Sequence, residues 1–341
     1  MLRNAFGAPL ILAGDTVCAT SARGLAGPVK KGTVCVTVTP DAVPAKRVRV
    51  FEEKVHVYAP HRASLPPLGP YIREFWRRRR FAYELSRTTQ KADHFNTTLG
   101  AAWLVLNPLL LGMVYFLLVS VLGSGGGGAA EKPSWVTTLG RILVGLFTWF
   151  YAANAMSLGA QSITSGGRLI LNQAFPRALL PLSSTISAFL MFIPSLPVYF
   201  VFFVLGSHFD NSKNSLPGLS WSLLWVPILL TVLTVECFGL AMLFAAMSVY
   251  FRDTNKFLGY LLRIWLYLTP VLYGLEKFEH HMWAVYLNPM APVIGSITRI
   301  WVEAKPPSLG LLLASLGWAA GLFLFGAWFF ISRERDFAVR I

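Results

Sequence analysis

Charge is scarce in this chain. Only 13% of its 341 residues are Asp, Glu, Lys or Arg, against about 25% in an ordinary soluble domain. What charge there is leans one way, with 30 basic residues against 16 acidic ones and a formal net charge of +14. Cysteine is nearly absent. Cys18, Cys35 and Cys237 have neither metal-ligand nor redox spacing, and Cys237, set in an apolar run, reads as a small buried side chain. The histidines are few as well, and the adjacent His280 and His281 lack the spacing of a zinc helix. No phosphate-binding loop is present. The glycine tract Gly123 to Gly128 is followed by no Gly-Lys-Ser/Thr, and the Gly27 to Thr33 stretch lacks the lysine before its hydroxyl residue. No catalytic residue, metal site or cofactor is therefore expected on this chain. A self-sufficient ATPase is excluded, and so is a membrane glycosyltransferase, which needs a paired-acid or metal site near a membrane face.

Apolar residues, by contrast, are abundant. They make up 55% of the chain, its mean hydropathy is +0.54, and they lie in long runs. A helix needs about 20 such residues to cross a ~30 Å hydrocarbon layer. The runs predict an all-α integral membrane protein with six spans, at about 99–122, 139–163, 179–206, 221–250, 257–275 and 309–331. Basic residues gather before the first span and in alternate loops, which places both termini in the cytosol. Arg141 and Arg299 depart from that pattern by sitting near outer ends. The basic balance thus belongs to a membrane surface rather than to nucleic acid.

The chain divides into an arm (1–69), an amphipathic interfacial helix with its linker (70–96) and a transmembrane domain (97–341). In the arm, Thr33–Thr39 and Arg47–Tyr58 alternate like short strands. Its patch Leu10–Ala13 is too short, and too interrupted by Gly7, Pro9 and Gly14, for a secretion signal. Pro70–Phe81 reads as a helix in the headgroup plane. Tyr71, Ile72, Phe75 and Trp76 share a face opposite Arg73, Arg77 and Arg80, and Arg79 marks where the helix leaves the interface. Tyr71, Phe75, Trp76, Arg77, Arg78 and Arg80 are the expected headgroup contacts, with a lipid pyrophosphate as the sharper target of the arginines.

Within the transmembrane domain, Pro194 and Pro197 should kink the third span. Glu236 sits near the middle of the fourth, where a carboxylate costs about 2.5–3.5 kcal/mol, so it is either a pathway wall or a protonated, hydrogen-bonded packing residue. Arg252 and Asp253 should close the next turn as an ion pair and helix cap. The fifth span is barely long enough and is broken by Pro270 near its end. Residues Glu276–Thr298 are too polar to cross, and should form two short re-entrant or surface helices on the outer side.

Specific runs carry a family resemblance. They are Thr98-Leu99-Gly100-Ala101-Ala102-Trp103 with Asn107-Pro108-Leu109; Phe175-Pro176-Arg177 with Leu180-Pro181; Tyr250-Phe251-Arg252-Asp253; Trp265 to Tyr273; and Leu287-Asn288-Pro289-Met290 with Pro292. In this order and spacing, over roughly residues 70 to 341, the chain resembles the membrane subunits of ABC-2 type polysaccharide exporters, the Wzm-like permeases. The resemblance implies outward movement of a lipid-linked polymer in the cytoplasmic membrane of a bacterium, powered by ATP-Mg on a separate ATPase subunit. It places the connector Arg168, Asn172, Phe175, Pro176 and Arg177 near that ATPase. Six spans are too few to enclose a polymer, which predicts a homodimer with two ATPase copies. Sugar faces pack on aromatic rings, so Trp103, Tyr115, Phe116, Tyr260, Trp265, Tyr267 and Tyr273, with Glu236, are the expected pathway residues. The Ala- and Arg-rich composition favours a cell-wall galactan as the polymer. An exporter of a small hydrophobic drug or lipid is the alternative.

Overall fold

The computed structural model describes residues 10–13, 16–19, 34–37, 67–94, 100–123, 134–209, 220–271, 274–275 and 281–340. The glycine tract after Gly123, the loop charges Glu131, Lys132, Asp210 and Lys213, the Arg47–Tyr58 alternation, His280 and Tyr273 lie outside them. The chain divides into two compact units, Met1–Pro60 and His61–Ile341.

In the first unit, β1 (Leu10–Ala13), β2 (Thr16–Ala19) and β3 (Val34–Thr37) form an antiparallel sheet in that order. β2 and β3 run in a register that opposes Cys18 to Cys35. The strand expected from the alternation at Thr33–Thr39 is thus present as β3. The patch at Leu10–Ala13 is an edge strand.

The second unit is helical. α1 (Leu68–Arg77) is followed after one residue by α2 (Arg79–His94), the break falling at Arg78. Then come α3 (Trp103–Gly123), α4 (Trp135–Ser165), the short α5 (Gly167–Asn172), α6 (Leu179–Phe192) and α7 (Ser195–Phe209). The chain continues through α8 (Trp225–Tyr250), α9 (Thr254–Leu268), α10 (Met282–Leu287), α11 (Met290–Glu303), α12 (Leu309–Arg333) and the final turn α13 (Phe337–Arg340). Among the described residues, five spans are long and apolar enough to cross a membrane: α3, α4, α6 with α7, α8 with its leading 3-10 turn, and α12. The kink predicted from Pro194 is a true break, with Ile193 and Pro194 standing between α6 and α7.

Small residues let these helices approach closely, as they do wherever apolar helices meet in lipid. α4 crosses α8 at Gly159, where an added Cβ would stand 2.4 Å from the Ala241 Cβ. α8 crosses α12 at Gly239 and Gly326, each of which faces main-chain atoms of the other helix. α4 is consequently buried along most of its length, from Ile142 through Ile163, at the centre of the unit. α3 and α12 stay peripheral and expose much of their surface.

Three local expectations are corrected. Residues 87–94, read as part of a polar linker, continue α2, which runs beside α6 and is joined to it by Gln90 Nε2 donating to the Ser187 carbonyl at 3.3 Å. α9 has only 15 residues. It stops at Leu268, two residues before Pro270, because a helical residue there would clash with the proline ring. Of the two short helices after it, expected as re-entrant or surface elements, α11 excludes the surface form: Met290 to Thr298 are buried, packed on α4, α8 and α12.

Candidate functional site

α9 alternates by helical spacing. Leu258, Leu262 and Leu266 are buried against the body, while Phe257, Tyr260, Arg263, Ile264, Tyr267 and Leu268 face outward. Tyr260 is 67% exposed and Tyr267 54%. A face that mixes rings and a cation is unusual on a helix flanked by apolar spans. It offers flat, weakly adhesive surfaces together with hydrogen-bonding tips.

The helix is pinned from behind by one asparagine. Asn288, which leads into α11, accepts from Trp265 Nε1 at 2.8 Å and from the Met290 amide at 3.2 Å. Its amide donates to the Leu268 carbonyl at 3.2 Å and to Thr269 Oγ1 at 3.1 Å. Those bonds satisfy backbone freed where α9 ends, a need that is acute inside a membrane. The Trp265 indole also packs edge-on against Trp149 of α4, centroids 6.1 Å apart.

The predicted pathway residues therefore fall into separate groups. Tyr260, Tyr267 and the half-exposed Trp103 present open surface, and Phe116 is partly covered. Tyr115 is buried on α3, but its hydroxyl lies 3.2 Å from that of Tyr267, with the rings edge to face. It props the exposed ring from behind. Trp265 is a packing residue first. Glu236 is wholly enclosed within the protomer on α8, and neither carboxylate oxygen has a hydrogen-bond partner. Among the described residues Glu236 is enclosed, as the packing reading requires, but the hydrogen bonds that reading included are not there. Tyr273 lies outside the described residues.

A second cluster sits where α1, α5 and the C-terminal end of α12 meet. It borders an open recess of about 610 Å3 lined by Tyr71, Glu74, Asn172, Phe175, Arg177 and Glu334 among others. The Arg177 amide donates to a Glu334 carboxylate oxygen at 2.7 Å, and its guanidinium donates to the Glu334 main-chain carbonyl. Burial lowers the pKa of Arg177, an effect opposed by the neighbouring Glu334 charge. Burial, and after it the Glu334 charge, pushes the Tyr71 phenol far above its ordinary range. The Arg78 guanidinium pairs with Glu74 and donates to the Ala174 carbonyl at 3.0 Å. Phe81 packs against Phe175, centroids 5.6 Å apart. α1 and the connector are thus one latched assembly.

That latch revises the single apolar face of α1. Tyr71 and Phe75 turn inward, with Phe75 stacked on Phe238 at 6.4 Å, while Ile72 and Trp76 face out. Arg73, Arg77 and Arg80 are exposed, with Arg77 also paired to Glu74. Arg78 is committed to the connector, which corrects its expected role at the headgroups. The pairing of Arg252 with Asp253 is also corrected. Asp253 lies 4.0 Å from Lys256 instead and caps nothing. Pro176 closes the connector after α5, and the exposed Arg168 lies at the start of α5.

Residues 85–301 match the family described as ABC-2 type transporter. The chain belongs to that family. Relatives of this ABC-2 chain include an O-antigen export system permease protein RfbA of Klebsiella pneumoniae, 28% identical over 216 residues, which are 62% of this chain and 76% of the relative. A protein of the same description from Myxococcus xanthus is 27% identical over 273 residues, 79% of this chain and 98% of the relative. The ABC-2 match spans α3 to α11 and so contains the α9 face, Asn288 and the connector; Glu334 lies beyond it. Sequence reading missed Glu334, whose signal is an acid set between Arg333 and Arg335.

Proposed function

We propose that this chain is the membrane subunit of an ABC exporter for a lipid-linked polysaccharide. The observation that carries the reading is the similarity to O-antigen export permeases over 98% of the length of one of them. The open aromatic face of α9 is consistent with it. Two copies would set these faces together about a two-fold axis, so that Tyr260 and Tyr267 of each line a conduit with Trp103 and Phe116 at its flanks. Rings bind sugar faces weakly, which lets a polymer slide.

In this reading α9 and the residues after it make a sixth, short crossing, and α10 and α11 form a gate at the outer mouth. Both termini then lie in the cytosol of a bacterial cell. α5 with Phe175, Pro176 and Arg177 seats one of two ATPase subunits, which hold the ATP-Mg. The exposed arginines of α1 lie on the anionic headgroups. A cell-wall galactan is the favoured polymer.

Depletion of the chain in its host tests this. Lipid-linked glycan should accumulate on the cytosolic side, and restored expression should clear it. Normal surface glycan after depletion, with no internal accumulation, would sink the proposal.

A further inference from the structure

A recess between α2, the end of α4 and the start of α6 shares Arg168 with the connector, but the reading of its lining does not rest on the transport reading. It encloses about 450 Å3, within the range of small-molecule sites. Its lining is mixed: Leu158, Leu180 and Met191 are among its aliphatic residues, and Gln161, Ser184 and Arg168 among its polar ones. Among the described residues, no Asp or Glu lines it and Arg168 makes no ion pair. A ligand with negative charge is therefore attracted and not repelled.

The hydroxyls narrow the choice. Ser184 donates to the Leu180 carbonyl at 3.2 Å and Ser165 to the Gln161 carbonyl at 2.8 Å. Each hydrogen is spent within its own helix, which leaves oxygen lone pairs to accept from a ligand. Donors come from Arg168 and the Gln161 amide. The fitting ligand thus brings both an anionic acceptor and hydroxyl hydrogens, as a phosphate ester of a polyol does.

Depth supplies the tail. Trp135, exposed at the other end of α4, marks one membrane face. Gln161 lies about 39 Å further along the helix, beyond a ~30 Å hydrocarbon layer and so at the level of the opposite headgroups. The turn before α5 comes close to the recess wall at Gly166, where an added Cβ would stand 2.8 Å from Leu180 Cδ1. We propose that this recess binds the phosphate end of a hydroxyl-bearing lipid, with Arg168 as counter-ion and Gln161 as second donor.

The test is native mass spectrometry of the purified full chain titrated with phosphatidylglycerol, phosphatidylcholine and diacylglycerol. One phosphatidylglycerol per chain should be retained, phosphatidylcholine at least threefold more weakly, and diacylglycerol not at all. Arg168→Gln should weaken retention at least tenfold, Arg168→Lys should keep most of it, and the remote Lys305→Gln should match the unaltered protein. Should Arg168→Gln fail to fold, Ser184→Phe, which fills the recess from α6, must abolish retention. Undecaprenyl diphosphate in competition separates the sources: displacement of phosphatidylglycerol marks a site for cargo, and no displacement marks a site for bulk lipid, each upholding the phosphate site. Unchanged retention in Arg168→Gln, equal retention of diacylglycerol, or none of phosphatidylglycerol overturns it.

Discussion

The backbone amide of Arg177 is held by the Glu334 side chain at 2.7 Å. With the Arg177 guanidinium on the Glu334 carbonyl, this bond fastens the connector after α5 to the end of the last membrane helix, 157 residues away in sequence. The same α12 packs backbone to backbone on α8 at Gly239 and Gly326, so connector, α12 and α8 are in continuous contact. An ATPase seated on the connector would act on a coupled set of helices rather than on a free loop.

Glu334→Ala removes the acceptor and strands a buried amide. The expected cost is about 1–3 kcal/mol, read as a lower midpoint of thermal unfolding of the purified chain. Glu334→Gln keeps an acceptor oxygen and should fall near the unaltered protein. Equal midpoints for all three would show that the latch contributes nothing.

The α8–α12 crossing should be equally sensitive. A Cβ on Gly326 would stand 2.1 Å from the Gly239 carbonyl oxygen, and one on Gly239 would stand 2.6 Å from the Leu322 backbone. Main chain cannot swing aside as a side chain can, so Gly326→Ala must spread the helices. Overpacking of this kind costs about 1–3 kcal/mol. Gly321→Ala, on the same helix with open space around it, is the matched control. A stability loss that does not separate the two variants would contradict the crossing.

The contrast between legible and hidden features has a physical origin. Pro194 and Pro270 were legible because proline acts on its own backbone: a helix breaks at the first and ends just before the second. Five of the six expected spans followed from length and hydropathy alone, whereas the one at 257–275 did not, since α9 has only 15 residues. α2 was hidden because a polar helix has no apolar stripe of membrane length, and its partner α6 lies about a hundred residues downstream. The split of Tyr71 and Phe75 from Ile72 and Trp76 was hidden for a different reason. Protein interior and lipid both accept apolar side chains, so periodicity gives the arc but not its division. Glu236 shows the same limit, since its depth could be read but its facing could not. Asp253 reaches Lys256 rather than Arg252 because residues three apart on a helix share a face and adjacent ones do not.

Glu236 supplies a third test. Enclosed and without a hydrogen-bond partner among the described residues, it sits in packing that suits an uncharged side chain. Glu236→Gln should accumulate in the membrane and support export as the unaltered chain does. Glu236→Lys carries a fixed charge to mid-span, at about 2.5–3.5 kcal/mol, and should lower membrane-inserted protein severely. If Glu236→Gln abolishes export at normal abundance, the carboxylate itself is used and the packing account is wrong.

The last test separates packing from conduit on a single helix. Asn288 makes four hydrogen bonds that tie α9 to α11, and Trp265 holds one of them. Asn288→Asp loses the two amide donations and places a carboxylate beside the Leu268 carbonyl, so it should destabilise the chain by about 2–4 kcal/mol. Trp265→Ala should lose stability for the same reason, with a cavity term added. Tyr260→Ala, on the open face of α9, removes almost no buried contact and should leave the unfolding midpoint within about 0.5 kcal/mol of the unaltered value. Its effect is expected on polymer export, measured as surface glycan at matched protein abundance. If Tyr260→Ala exports normally while the Trp265 and Asn288 variants fail through instability alone, the outward rings of α9 serve the bilayer interface and not a polymer.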